Sequence, residues 1–324
     1  MEKLRMGILG SGIIAHTMAR TVAGMENAVV TAVGSRNLES AQRFADEFGI
    51  EKAYGSYEQL AQDAALDLIY IATPHSRHFE DCMLCIENGR NVLCEKAFTA
   101  NAQQAEKVFE AADKKGVFIT EAIWTRFMPQ RFVLDEIIKS GVVGDISSLT
   151  ADLGYSSEHI ERLRKPELAG GALLDLGVYA INFALMAFGG DIKETISCCT
   201  KNEFGVDRSN CIIFRYADGR LAVLHSSMAA NLDRRGIIYG SKGRIEFENI
   251  NNCEGITVIL NDGSTKRFDT PKQITGYEYE VEASRRAIAQ GKRECDEMPH
   301  AESIKVMKIM DGLREQWGIR YPFE

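Results

Sequence analysis

At 324 residues the chain is longer than one hydrophobic core usually serves, so two domains are expected. Hydrophobic residues at 45% and charged residues at 26% describe an ordinary globular protein, and a formal charge of -8 argues against a nucleic-acid partner. No apolar run approaches the roughly 20 residues needed to span a bilayer, so no membrane partner is expected.

The start, Met1-Glu2-Lys3-Leu4-Arg5, leads straight into a strand pattern and not into a signal-peptide core, which predicts a cytoplasmic protein. Leu4 to Leu9 reads as a strand and Gly12 to Val22 as a helix opening on a glycine turn. Val29 to Val33 is a second strand, followed by a helix over Leu38 to Phe48 with apolar positions at Leu38, Ala41, Ala45 and Phe48. Leu66 to Ala72 is nearly continuously apolar, as a strand buried on both faces should be. A helix over His78 to Asn88 is closed by Gly89. It carries Cys82 and Cys85 within an apolar run, with no second Cys or His pair nearby, so they are read as structural and no metal site is expected. The eight cysteines as a whole are scattered through apolar segments, as buried reduced thiols are. Strand Asn91 to Cys94, helix Ala102 to Lys115 with Gly116 behind it, and strand Val117 to Thr120 complete the first third. Alternating strands and helices imply right-handed crossovers and a doubly wound parallel sheet, an α/β Rossmann domain over residues 1–121.

After Glu121 the pattern changes. Helix Gln130 to Ser140 precedes strand Ile146 to Leu153, and a helix runs from Leu173 to Phe188. Cys211 to Tyr216 and Leu221 to Ser226 are joined through Ala217-Asp218-Gly219, a hairpin signal. Ile237 to Tyr239 and Ile245 to Phe247 flank Gly240-Ser241-Lys242-Gly243, and Ile256 to Leu260 leads through Asn261-Asp262-Gly263 to Lys266-Arg267-Phe268. Tyr277 to Gln290 and His300 to Trp317 close the chain as helices. Residues 122–324 therefore read as an α+β substrate-binding and oligomerisation domain built on a large, mostly antiparallel sheet. Its C-terminal helix is free to return to the first domain.

Gly10-Ser11-Gly12-Ile13-Ile14-Ala15 is a G-x-G-x-x-A, placed directly after the first strand and opening the first helix. Gly10 permits the tight turn, Gly12 lets the backbone approach a pyrophosphate, and Ala15 allows close helix–strand packing. The phosphates rest on the helix N-terminus at Ile13 and Ile14, where N–H groups and the dipole favour negative charge. In NAD enzymes a carboxylate near the end of the second strand bonds the ribose hydroxyls. This chain has Gly34-Ser35-Arg36-Asn37 there. Ser35 and Arg36 suit a 2'-phosphate, so NADP is favoured and NAD remains open, with Arg36 as an ordinary surface charge the alternative.

Ala72 to His78, Gly89 to Lys96, and Gly170-Gly171-Ala172-Leu173-Leu174-Asp175-Leu176-Gly177-Val178-Tyr179 resemble the signature blocks of the Gfo/Idh/MocA oxidoreductase family. The resemblance runs nearly the whole chain. Within the family, Glu121 to Phe127 together with Tyr179 is most similar to the dimeric dihydrodiol dehydrogenases, whose relatives, such as xylose dehydrogenases, oxidise aldoses. The resemblance implies that Glu95-Lys96 puts a lysine beside the nicotinamide, with Ala97 in place of the family's proline. It implies that Thr73, Pro74 and His75 lie along the cofactor, that His78 is structural or cofactor-adjacent, and that Arg162 extends toward the cofactor phosphates. Asp175 and Tyr179 match the family's Asp-x-x-x-His. Trp124, Arg126, Phe127 and Tyr155 are placed around the substrate, although each aromatic reads equally well as core.

Oxidising an alcohol carbon needs a nearby group to take the hydroxyl proton. A phenol is a poor base at neutral pH, and a neighbouring ammonium improves it by favouring the phenolate. Lys96 and Tyr179 supply such a pair. Asp175, one helical turn before Tyr179, could bond the substrate, hold Lys96, or simply be an acid in a helix's first turn. These features predict an NAD(P)-dependent dehydrogenase acting on a CH–OH carbon of a sugar, polyol or cyclic diol. A keto-sugar or inositol reductase shares every motif, and a non-catalytic dinucleotide sensor needs only the glycine turn. A sheet with helices on one face leaves the other to be covered, which predicts a homodimer through the second domain's sheet.

Overall fold

Six strands form a parallel sheet in the order β3-β2-β1-β4-β5-β6: β1 (Leu4–Leu9), β2 (Ala28–Gly34), β3 (Lys52–Tyr54), β4 (Leu68–Ile71), β5 (Val92–Glu95) and β6 (Ile119–Ala122). Helices α1 (Ile13–Ala23), α2 (Leu38–Phe48), α3 (Tyr57–Ala61), α4 (His78–Glu87) and α5 (Ala102–Lys115) connect them. Strands β4, β5 and β6 are buried at every residue, and the central β4 accordingly reads as an unbroken apolar run. The computed structural model describes residues 3–324; Met1 and Glu2, where the start was read as free of a signal core, lie outside the described residues.

The second sheet has eight strands in the order β14-β13-β12-β11-β7-β10-β9-β8. Its members are β7 (Ile146–Gly154), β8 (Ile192–Lys201), β9 (Asp207–Tyr216), β10 (Leu221–Ser227), β11 (Gly236–Gly240), β12 (Gly243–Glu248), β13 (Gly255–Leu260) and β14 (Thr265–Asp269). Only the β7–β10 pair is parallel. Around it lie α6 (Pro129–Lys139), the single turn α7 (Glu161–Arg164) and α8 (Val178–Phe188). Inward residues such as Ile212, Phe214, Leu224 and Ile245 alternate with outward ones, and Phe183 of α8 meets Phe247 edge-on at 5.3 Å.

No sequence signal marks β8. It pairs with β9 at the edge of the sheet, and its alternation of half-buried and exposed positions, Thr195 to Thr200, carries mostly polar residues and so no apolar stripe. The stretch Pro166–Phe188 is apolar enough and, at 23 residues, long enough to cross a membrane, contrary to the expectation that no run approaches that length. Its 18-residue apolar window is 89% buried inside the protein and the stretch includes Asp175, so here it is a core segment.

The domain boundary also differs from 121/122. One unit comprises Met1–Trp124 with Gln273–Met307, and the other Thr125–Lys272 with Lys308–Glu324. Residues 122–324 are expected as one domain whose C-terminal helix is free to return; α9 (Glu278–Ala289) and the first part of α10 (His300–Trp317) both group with the parallel-sheet unit. The physical reason is the open edge of β6. Its Ile119 N–H donates to the Arg293 carbonyl at 3.0 Å, and the Ile119 carbonyl faces His300 Nε2 at 2.9 Å. Phe109 stacks on His300 at 4.0 Å, and Asn27 donates to Glu282 at 2.6 Å. Helix α9 thus covers this unit through contacts that no local pattern announces.

Candidate active site

In the parallel unit, β1 lies between β2 and β4, so the strand order reverses there, and ligands of such sheets bind outside the carboxyl ends at that reversal. Gly10 follows β1, Ser35 follows β2, Thr73 and Pro74 follow β4, and Lys96 follows β5. These residues, all assigned to the cofactor, therefore come from the carboxyl ends of one sheet.

Gly10 has φ +109°, and a Cβ there would stand 2.9 Å from the Ala72 carbonyl oxygen, so only glycine suits the turn. Gly12 is different: its φ is -83°, and a Cβ would meet nothing within 4 Å. Its bare backbone is the N-cap of α1, with no capping side chain and no acid in the first turn, and Ile13 beside it is 86% exposed. That cradle fits a dinucleotide's pyrophosphate. Ser11 and Ser35 hydroxyls lie 3.1 Å apart, tying the glycine turn to the end of β2. Arg36 is exposed beside them, close enough for its charge to be felt by Tyr57.

The turns after β4 and β5 are joined by one side chain. His78, fully buried, places Nε2 2.9 Å from the Thr73 carbonyl and Nδ1 2.9 Å from the Ala97 carbonyl. Burial lowers its pKa, so the ring is neutral and donates one N–H, to whichever carbonyl its tautomer faces. Ala97 itself follows a cis peptide bond from Lys96. Thr73 donates to the buried Asp81 at 2.7 Å, and Arg77 reaches the same carboxylate at 3.0 Å. His75, buried, meets His78 edge-on. The Glu95 carboxylate accepts from the Tyr70 hydroxyl through Oε1 and from the Lys96 backbone N–H through Oε2, at 3.2 Å. Trp124, at the end of this unit's first segment, stacks on Tyr277 at 4.1 Å with the planes 9° apart.

In the second unit Asp175 does not lie in an α-helix. Leu173–Gly177 is a π-helical turn that passes into α8 at Val178, so the expected single α-helix over 173–188 is revised at its start. Such turns recur at functional sites. Asp175 and Tyr179 are 9% and 5% exposed. Arg162 is engaged with Asp175, its Nη1 3.5 Å from Oδ1, because α7 and the Pro166–Leu168 turn fold the segment back onto the π-turn. Arg162, expected to extend toward the cofactor phosphates, keeps 45% of its side chain exposed while it meets Asp175. Arg126, also buried, donates through Nε to Asn182 Oδ1 at 2.5 Å, and Asn182 donates back to the Val178 carbonyl at 2.8 Å. Phe127 is 4% exposed. Tyr155 donates to Asn251 at 3.2 Å and accepts from Arg234 at 3.3 Å.

What sets the π-turn is Asp207. Its carboxylate accepts from the Leu173 N–H at 2.8 Å and from Asn210 at 2.9 Å. A Cβ on Gly171, whose φ is +124°, would stand 2.3 Å from Asp207 Oδ1, and one on Gly170 would stand 2.6 Å from the Leu163 carbonyl oxygen. The buried Tyr321 hydroxyl donates to the Gly170 carbonyl at 3.0 Å. The paired glycines exist so that a carboxylate and two backbones can close on one turn.

An apolar cavity of about 420 Å³ lies elsewhere in this unit, lined by Val133, Ile137, Val258, Leu260 and Phe268, and contains none of these residues. Among the described residues no group of three or more His, Cys, Asp or Glu could hold a metal ion.

Residues 4–122 match the oxidoreductase family with an NAD-binding Rossmann fold, GFO_IDH_MocA, and residues 133–246 match the GFO/IDH/MocA C-terminal domain. The chain belongs to the Gfo/Idh/MocA oxidoreductase family. It is 35% identical to a trans-1,2-dihydrobenzene-1,2-diol dehydrogenase of Xenopus tropicalis, over 98% of this chain and 99% of that one. The human protein of that name is 33% identical, covering 98% of each chain. Among solved structures, a 3-ketoreductase from Actinomadura kijaniata in complex with NADP and TDP-benzene has a TM-score of 0.88 at 24% identity, covering 97% of this chain and 98% of that one. A levoglucosan dehydrogenase in complex with NADH and levoglucosan has a TM-score of 0.87 at 20% identity, covering 98% and 97%.

Several residues of this family member escaped sequence reasoning. Tyr70 was hidden in a strand read only as apolar, although a buried phenol signals that it needs a partner. Tyr277, Glu280, Ser284 and Ala287 fall at the spacing of the buried face of α9, so an acid on an inward stripe was legible in principle. Asn182 carried the same kind of signal on α8. Asp207 gave none, because its partners are 34 residues back in the chain.

Proposed function

We propose that this protein is an NADP-dependent dehydrogenase that moves a hydride between nicotinamide and a CH–OH carbon of a cyclic diol or an aldose. The observation that carries this reading is the near-full-length similarity to relatives named for a cyclic diol substrate. When bound, the cofactor supplies the hydride acceptor or donor. Gly10, Gly12, Ile13 and Ile14 hold its pyrophosphate; Ser35 and Arg36 meet the 2'-phosphate; Thr73, Pro74, His75 and His78 form the wall that the cofactor lies along. Glu95 fixes the backbone of Lys96. Lys96 and Tyr179 act as the proton-transfer pair on the substrate hydroxyl, and Asp175 orients that pair or the substrate. Trp124, Arg126 and Tyr155 favour a ring-shaped substrate, with Phe127 as packing behind them. The test is a screen of cyclic diols, aldoses and polyols with NADP and NAD, read at the nicotinamide absorbance band. Absence of turnover with every member of all three classes defeats the reading.

The same reading takes the protein to be a cytoplasmic homodimer. Eight free cysteines, five of them buried, suit a reducing compartment. On the outer face of the eight-stranded sheet Ile196 of β8 and Leu221 and Val223 of β10 are 55%, 41% and 43% exposed on either side of β9, whose Ile213 pairs with both Ile196 and Val223, an apolar patch that a second copy would cover. Sedimentation should give a dimer at micromolar concentration and a monomer for Val223→Asp; a monomeric unmodified protein rejects this part.

A further inference from the structure

Glu280 lies on the inward face of α9 with no exposed surface, and neither carboxyl oxygen has a hydrogen-bond partner. Most buried polar groups are bonded, so such a group asks for a reason. The surroundings supply one. Glu95 of β5 takes the Tyr70 hydroxyl on one oxygen and the Lys96 N–H on the other, two donors that favour its ionised form. Glu280 has no donor and faces that charge, so burial first and the Glu95 carboxylate second push its pKa well above the ordinary carboxyl range. Around this corner stand Tyr70 from β4, Glu95 from β5 with Lys96 following it, and Tyr277 at the head of α9. The other buried carboxyl at this edge of the sheet, Glu121 of β6, accepts from the Phe98 N–H at 3.1 Å.

We propose that Glu280 is kept as the neutral acid, that it and Glu95 form a buried pair carrying a single negative charge behind Lys96, and that Glu280 is thereby a positioning residue for proton transfer. It touches neither substrate nor cofactor. Its effect runs through Glu95, whose carboxylate holds the Lys96 backbone. A second charge here would repel Glu95 and loosen its hold on the Lys96 backbone, moving the side chain that the reaction needs in place. The proposal rests on the assignment of Lys96 to proton transfer, and it explains why an apolar side chain does not fill a site where a carboxyl costs stability.

The sign of the linkage is definite. A carboxyl whose folded pKa is raised holds a proton that the unfolded chain has released, so stability declines as pH rises from about 4 to the folded pKa. Glu280→Gln, permanently neutral and nearly the same shape, escapes that decline. Relative to the unmodified protein its urea midpoint should therefore rise between about pH 5 and about pH 8. Its pH profile of turnover should keep the plateau but extend on the alkaline side by about one pH unit, since the ionisation that ends the plateau is gone. An equal midpoint difference at both pH values refutes the neutral acid. A shifted stability with an unmoved alkaline limb makes the pair purely structural and refutes the positioning role. Should no substrate turn over, the pH dependence of NADPH binding, read by nicotinamide fluorescence, takes the place of the rate profile with the same two outcomes. Failure of the dehydrogenase reading is thus distinguishable. If Glu280→Gln fails to fold, infrared spectra of the unmodified protein with isotope-labelled glutamate decide: a protonated-carboxyl band persisting well above the ordinary carboxyl range is expected, and its loss within that range overturns the proposal.

Discussion

The residues assigned to the cofactor and those assigned with Asp175 are placed by different physics. In the parallel unit each one follows a strand within a few residues, and a strand end has a fixed direction once the sheet has formed. In the second unit the π-turn that carries Asp175 is held by Asp207, Asn210 and Tyr321, all distant in sequence. The first arrangement is local and repeats from strand to strand; the second is a single knot of long-range contacts. Buried carboxyls show the same contrast. Asp207 has donors from Leu173 and Asn210, and burial still raises its pKa to about 6, whereas Glu280, with none, is pushed up by burial and by the Glu95 carboxylate together. A donor-rich corner fixes structure; a donor-poor one holds a proton.

The largest effect should come from removing the chemistry at either end of this comparison. Lys96→Met in the first unit and Tyr179→Phe in the second should each lower turnover about 10²–10⁴-fold with cofactor affinity nearly unchanged, as loss of a positioned acid–base group does. Steady-state rates alongside NADPH titration measure both. Near-normal turnover in Tyr179→Phe would take the phenol out of the mechanism and leave proton transfer to the first unit alone.

Glycine substitutions sharpen the contrast. Gly171→Ala forces a methyl against Asp207 at a backbone conformation of φ +124°, so the urea midpoint should fall by the equivalent of about 3 kcal/mol. Gly12→Ala meets nothing and sits at an ordinary φ, so stability should change by less than about 0.5 kcal/mol while NADP binding weakens. A large stability loss in Gly12→Ala would show that this glycine is structural and not a cofactor cradle.

Asp207 predicts a pH effect of similar size. Its folded pKa of about 6 exceeds the ordinary 3.8, so the folded protein keeps a proton that the unfolded chain loses in that interval. Stability should therefore decline as pH rises from about 4 to about 6, by about 3 kcal/mol in all, and no further from this group above that. Denaturation midpoints of the unmodified protein and Asp207→Asn across this range test it; parallel curves would mean that Asp207 titrates normally. His78 acts in the opposite direction, because its lowered pKa withdraws stability as pH falls below about 6.5.

The sequence was most readable where structure is local. Gly10 and Gly12 after a strand, and Gly89 and Gly116 closing helices in left-handed conformations, are all decided by near neighbours. The parallel sheet followed from its alternation with helices. What stayed hidden depends on distant partners: the return of residues 273–307, the π-turn at Leu173–Gly177, and the commitment of Arg162 to Asp175. Spacing could place Asp175 and Tyr179 near one another but could not reveal that the turn between them is π-helical, because Asp207 imposes it from another strand.

The smallest predicted effect concerns cofactor choice, and it tests the local side of the comparison at its most exposed point. Ser35 is 6% exposed and tied to Ser11, whereas Arg36 stands in solvent at the end of β2, where an acidic residue would mark NAD. A guanidinium meets a 2'-phosphate with paired, charge-assisted hydrogen bonds, enough to favour NADP over NAD by about tenfold at such an exposed site. Arg36→Ala should therefore weaken NADP binding by about that factor and leave NAD almost untouched. Ser35→Asp should go further, because a carboxylate repels the phosphate and offers acceptors to the ribose hydroxyls. Raising salt should narrow the preference, since an exposed charge interaction is screened. Calorimetric titration with both cofactors at low and high salt measures all three changes. Equal affinity of the unmodified protein for NAD and NADP at low salt would make Arg36 an ordinary surface residue and leave the choice of cofactor to the buried Ser35 and the glycine turn.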